Sequence, residues 1–239
     1  MISRRKLSKA AWWITPPIIW EQYLRLRKLG HVFPWQTFRT MATAIDPKPL
    51  LVGRFADIHN KFCGLDPFTG EAYRYMHYNL CYFANLCRNV PGDFVCAGVS
   101  FGASVKIVYE FVDFSNLGKT FHLIDPLEGK TDTGQISPNY NRDPDYILKQ
   151  YPEGAPIVLH REFIPLRLSG PLAFVFTDTG NPEAESESLP IFYGDLSQGG
   201  IIVIGGQYGH NIKSFEPYFQ NLGVTPLWLP SGQGVIIKQ

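Results

Sequence analysis

The residues Gly98-Val99-Ser100-Phe101-Gly102-Ala103-Ser104 follow a short apolar run and open a helical stretch. Gly98 and Gly102 let the backbone turn tightly and approach a ligand, and the first N–H groups of the helix can take a carboxylate or a hydroxyl. The segment is not GxGxxG and lacks the Lys-Ser/Thr of a phosphate loop, so a nucleoside carrying an amino-acid tail fits it better than a pyrophosphate. The plainer reading is a turn and nothing more. Asp125 closes the next apolar run, TFHLID, 27 residues after Gly98. A carboxylate there can accept both hydroxyls of a ribose, or it can cap a helix. Asp178 closes LAFVFTD in the same way. It is a candidate general base or metal ligand, or else the N-cap of the next segment. His210 lies in the loop after GIIVI and is either a metal-free general base or a solvated loop histidine. His160 and Glu162 can flank an adenine; Glu162 reads equally as an ordinary surface charge.

These residues need elements that bring them to one edge. Short apolar runs bounded by turn signals predict buried parallel strands at 94–99, 120–125, 157–160, 172–178 and 200–204. Helical stretches are expected at 104–114, 143–151, 189–196 and 214–222, with 224–229 and 234–238 as a closing antiparallel pair. Strands alternating with helices predict an α/β fold: a doubly wound, mostly parallel, Rossmann-like sheet over residues 89–239. In such sheets ligands bind outside the carboxyl ends of the strands, near the point where strand order reverses. Residues 1–88 read as an amino-terminal helical extension that covers this domain, with helices at 16–30 and 71–88.

The chain has 239 residues, 45% of them hydrophobic, enough for one domain with a real core. A net charge of +1 gives no reason to expect nucleic acid as the main partner. The charge is uneven: residues 1–28 carry seven Arg and Lys against Glu21 alone, a net +6, which leaves −5 on the rest. Trp12, Trp13 and Trp20 sit among these basic residues. The segment reads either as a helix that packs on its own domain or a second subunit, or as a peripheral contact with an anionic membrane surface. Pro16-Pro17 interrupts the apolar stretch Ala10–Trp20, which speaks against a signal peptide, and no run reaches the length of a membrane span. Cys63, Cys81, Cys87 and Cys96 form no CxxC pair and read as reduced thiols in a cytoplasmic protein.

Five ordered segments together resemble the macrocin O-methyltransferase family of class I S-adenosylmethionine (SAM)-dependent enzymes. They are Asn89–Val95 with Gly98-Val99 and Gly102; Phe121–Asp125 with Glu128-Gly129; Ala173–Val175 leading to Asp178; Gly199–Ile204; and Gly232–Val235 with Lys238. The resemblance implies SAM on Gly98, Val99, Ser100, Phe101, Gly102, Ser104 and Asp125, and amino-terminal helices that cover the site and support a homo-oligomer. The departures are pointed. Cys96 stands where the family carries a glutamate, Gly180 replaces its second central aspartate, and Gly205-Gly206 replaces the aspartate pair that binds a divalent cation. No metal ligand is therefore expected here. The expected activity is O-methylation of a small hydroxylated acceptor, sugar-like or glycosylated, with Asp178 or His210 taking the proton. The competing reading is a catalytically inactive methyltransferase-fold protein that serves as a binding or assembly partner. A nicotinamide oxidoreductase is opposed by the missing GxGxxG.

Overall fold

The computed structural model describes residues 36–38, 41–43, 48–66, 73–127, 143–205 and 212–239. The helix expected at 16–30, the basic aromatic segment, Glu128-Gly129, Gly206 and His210 lie outside them. Two short strands, Gln36–Phe38 and Met41–Thr43, form a sheet of their own.

The main sheet has seven strands: β1 Asp93–Ala97, β2 Phe121–Ile124, β3 Ile157–His160, β4 Leu172–Thr177, β5 Leu196–Ile204, β6 Leu227–Trp228 and β7 Gly234–Ile237. Their order across the sheet is β3-β2-β1-β4-β5-β7-β6. The first five are parallel; β7 runs antiparallel to β5 and β6. The expected doubly wound sheet and its closing antiparallel pair are both present. The helices are α1 Lys48–Leu51, α2 Arg54–Phe62, α3 Arg74–Leu86, α4 Ala103–Phe111, α5 Pro144–Leu148, α6 Pro182–Asp195 and α7 Ile212–Leu222.

Strand alternation divides the core. Phe94 and Cys96 of β1 face one layer, with Leu80 of α3 and Ile107 of α4; Val95 and Ala97 face the other, with Leu189 of α6 and Phe215 of α7. Because β1 and β4 are covered on both faces, they read as unbroken apolar runs, whereas β3, expected to be buried, is the sheet edge and leaves Val158 exposed. Phe94 packs on Phe114, Phe121 and Phe174 with ring centroids 5.2, 5.8 and 5.3 Å away. Each such fully buried ring contributes about 2–3 kcal/mol of apolar burial. Leu50 and Phe55 join the same layer, so the helices before β1 build the core rather than merely lying on it. A buried polar link ties α3 to the turn before β7: Asn79 Nδ2 donates to Gln233 Oε1 at 2.9 Å and to Ser231 Oγ at 3.2 Å.

Several boundaries differ from expectation, two of them by more than three residues. Helix α6 starts at Pro182, not at 189, because Asn181 caps it, its side chain accepting from the Ala184 N–H at 3.2 Å, and Pro182 occupies the first turn. Strand β5 begins at Leu196, where a helix end was expected: Leu196 pairs with Leu172, and the register then shifts before Ile201 pairs with Phe174. Among the described residues no helix is long and apolar enough to cross a membrane.

Candidate functional site at the carboxyl ends of the central strands

The strand order puts the reversal between β1 and β4, since the chain winds outward from β1 to β3 and then returns beside β1. The loops leaving these two strands touch. The Asp178 N–H donates to the Ala97 carbonyl at 2.8 Å. A Cβ at Gly98 would lie 2.2 Å from the Asp178 carbonyl oxygen, and Gly98 has φ +92°. Gly98 thus serves the close approach of two backbones.

The Gly98–Ser104 loop is shaped from beneath by Asp125, which is 3% exposed. Its Oδ2 accepts the N–H groups of Val99 at 2.9 Å and Ser100 at 3.0 Å, and its Oδ1 accepts that of Leu127 at 2.8 Å. Ser100 and Leu127 adopt φ +52° and +54° to aim those groups inward. Successive N–H groups that could cradle an external anion are therefore directed at the chain's own carboxylate. Asp125→Asn would set an amide NH2 against a backbone donor and remove the charge from the remaining bonds. We expect the variant to lose about 3 kcal/mol of stability, as for bonds to a charged acceptor. A urea unfolding midpoint checks this; an unchanged midpoint would mean that the three bonds do not hold the loop.

What the loop offers outward is the first turn of α4. Its N-cap is Gly102, φ +87°, which makes no side-chain bond to the N–H groups of that turn; Gly102, Ala103 and Val105 are buried. Ser104, half-buried, lies in the same turn, its Oγ 3.0 Å from Nε2 of His77. Burial above all, then the neighbouring His59 and Arg74, lowers the His77 pKa to about 3, so its ring is neutral. Gln150 reaches over Gly102 and donates to the Phe101 carbonyl at 3.0 Å. Among the described residues its buried Oε1 has no hydrogen-bond partner.

Asp178 is half-buried at the end of β4. A Cβ at Gly205 would stand 2.5 Å from its Cγ and 2.7 Å from its Oδ1, so the glycine makes room for this carboxylate. On the other side lies Glu185 of α6, which sequence reasoning missed. It is 3% exposed. Its Oε1 accepts the Thr179 N–H at 2.7 Å and the Thr179 hydroxyl at 2.8 Å, and its Oε2 lies 3.4 Å from the Thr177 hydroxyl. Burial, and then the charge of Asp178, raise its pKa from 4.5 to about 7, against the opposing pull of those hydrogen bonds. Cys96 does not replace the missing glutamate. It is buried, and burial pushes its thiol pKa well up, with the charges of Asp125 and Asp178 adding to the effect.

The described side chains of this turn are few for a divalent cation. Hard cations take about six oxygens. Among the described residues two carboxylates stand at the turn, Asp178 and Glu185, but the oxygens of Glu185 are taken up by Thr179 and Thr177, and Gly180 and Gly205 offer no side chain. No group of three ligating side chains occurs among the described residues.

No family model matches the sequence, and neither does any curated protein. Solved structures do match. The O-methyltransferase NovP superposes with a TM-score of 0.57 at 15% identity, over 69% of this chain and 79% of that one. The SAH-bound methyltransferase PaMTH1 of Podospora anserina gives 0.51 at 15% identity, over 77% and 87%. The TDP-rhamnose 3'-O-methyltransferase CalS11 gives 0.51 at 12% identity, over 84% and 99%. At such identities the likeness is one of fold: this chain has the Rossmann-like fold of the class I methyltransferases.

Proposed function

We propose that the chain is a SAM-dependent O-methyltransferase, of the kind the macrocin resemblance implies, which works on a small sugar-like or glycosylated hydroxyl acceptor without a divalent cation. The observation that carries this reading is the meeting of the Gly98–Ser104 loop and the Asp178 turn above the β1/β4 reversal. CalS11, with the same fold, acts on a TDP-sugar, which supports the acceptor class.

SAM supplies, when bound, a methyl group already activated by its sulfonium. The chain's own residues then bind and orient. The first turn of α4, which lacks a side-chain cap, and the Ser104 hydroxyl suit the amino-acid tail once Gln150 gives way. Asp125 acts through the loop it holds. A carboxylate oxygen of Asp178 would take the acceptor's hydroxyl proton, leaving the oxygen to receive the methyl group that SAM would supply. With so good a leaving group, alignment of the two reactants supplies most of the acceleration. His210 remains the second candidate base, and the amino-terminal segment is assigned to covering the site or joining a second subunit.

One observation favours the competing reading, a binding protein that kept the fold. Asp125 already spends three hydrogen bonds inside the chain. Titration calorimetry with SAM and with its demethylated product SAH, with and without magnesium, separates the two. Saturable binding indifferent to magnesium is expected. Failure of both ligands to bind folded protein overturns the enzyme.

A further inference from the structure

Glu185 is a buried acid of the site, and nothing in the proposed chemistry uses it. It stands on α6, one turn past the Asn181 cap, and reaches back to the turn that carries Asp178. Its oxygens meet three donors on two residues, Thr177 and Thr179, which flank Asp178 on either side. The carboxyl of Glu185 therefore fixes the backbone on which the candidate base is mounted. Among the described residues the titrating group that faces it is Asp178. The other elements packed on α6 present apolar side chains, Ile202 and Ile204 from β5 and Phe215 and Phe219 from α7.

We propose that Glu185 is a positioning residue that clamps the Asp178 turn through Thr179, and that its ionisation tunes the site toward a cationic cofactor. The geometry admits both charge states without rebuilding the turn. Oε1 accepts from Thr179 in either. A protonated Oε2 donates to the Thr177 hydroxyl; an ionised Oε2 accepts from it. Ionisation thus reverses one hydrogen bond and leaves a second negative charge beside Asp178. Buried charge is weakly screened, so a sulfonium at the carboxyl ends of β1 and β4 gains attraction that neutral SAH does not. Burial and Asp178 place the change near neutrality, at about pH 7.

This inference rests on the SAM reading for its second half only, and the test separates the halves. In ligand-free protein, the Thr179 amide resonance is followed from pH 5.5 to 8.5, together with Glu185→Gln, whose amide keeps the bonds to both threonines. The Thr179 signal is expected to titrate in the wild type and to stay flat in the variant. A wild-type signal that does not move overturns the ionisation of Glu185 on that turn, and a Thr179 signal unchanged in a Glu185→Ala variant overturns the clamp. SAM and SAH affinities are then measured by calorimetry at both ends of that range. The preference for SAM over SAH is expected to rise by about fourfold with pH in the wild type and not in Glu185→Gln. A Thr179 titration with equal pH trends for the two ligands overturns the tuning of the cofactor. A Thr179 titration in protein that binds neither ligand overturns the SAM reading and leaves the clamp standing.

Discussion

Gly98→Ala is expected to destabilise the domain by about 4 kcal/mol, the sum of a strained backbone and a forced contact. The backbone at Gly98 has φ +92°, where an L side chain is strained in any surroundings. The surroundings here are also closed. The new Cβ would fall 2.2 Å from the Asp178 carbonyl oxygen, 2.5 Å from its carbon and 2.9 Å from the Thr179 nitrogen. All three are backbone atoms at the end of β4, so no side chain can swing aside. Relief requires the β1 and β4 loops to part, which breaks the bond from the Asp178 N–H to the Ala97 carbonyl. Urea unfolding should show a fall in midpoint with little change in slope. Calorimetry should show SAM binding weakened even where the variant remains folded, because the crevice itself has moved. A variant as stable as the wild type would mean that the two loops do not touch in solution, and the site as described would fall with them.

That contact was only half legible in the sequence. The central strands were readable because parallel strands covered on both faces leave unbroken apolar runs; Ile157–His160 appears where expected but at the sheet edge, not buried, with Val158 exposed. The types and stations of Asp125 and Asp178 were readable too, since both close such a run. Their partners were not. Asp125 turns inward because Ser100 and Leu127, neither a glycine, take positive φ, and nothing in their side chains announces it. Glu185 was hidden differently. In Pro182–Ser188 three glutamates alternate with small residues and look like a solvated stretch. At about 100° per residue, however, a helix sets positions 183 and 187 near one face and 185 on the opposite one. The structure agrees, with Glu183 and Glu187 exposed and Glu185 buried. The Asn181-Pro182 start was the available signal, because once the helix begins there the middle glutamate must face the sheet. The glycine at 205 carries a similar lesson. In sequence it is a lost ligand; in the fold it is the space that Asp178 occupies.

Glu185→Gln should make the protein more stable than the wild type at pH 8 relative to pH 4, by about 3 kcal/mol. In the folded chain the Glu185 pKa is raised to about 7, first by burial and then by Asp178, from an ordinary 4.5. Below the ordinary value, both folded and unfolded chains hold the proton, and the carboxyl contributes no pH dependence. Between the two values the unfolded chain releases its proton while the folded chain keeps it. The folded state then binds more protons, so stability falls as pH rises. Above about 7 both forms are ionised and the loss is complete, the wild type carrying a buried charge beside Asp178. Glutamine has no proton to lose and keeps the same reach: its oxygen accepts from Thr179 and its NH2 donates to the Thr177 hydroxyl. The informative quantity is the wild-type-to-variant difference in unfolding free energy, measured by urea at intervals from pH 4 to pH 8, because other titrating groups are common to both proteins and cancel. A difference that opens steadily across that interval and then levels places the proton on Glu185. A difference constant with pH would mean that this carboxyl titrates alike in the folded and unfolded chains, near the ordinary 4.5, so that at neutral pH the charge of the site resides on Asp178 and Glu185 alike. The turn would then hold two full negative charges at neutral pH, and its attraction for a sulfonium would not vary with Glu185.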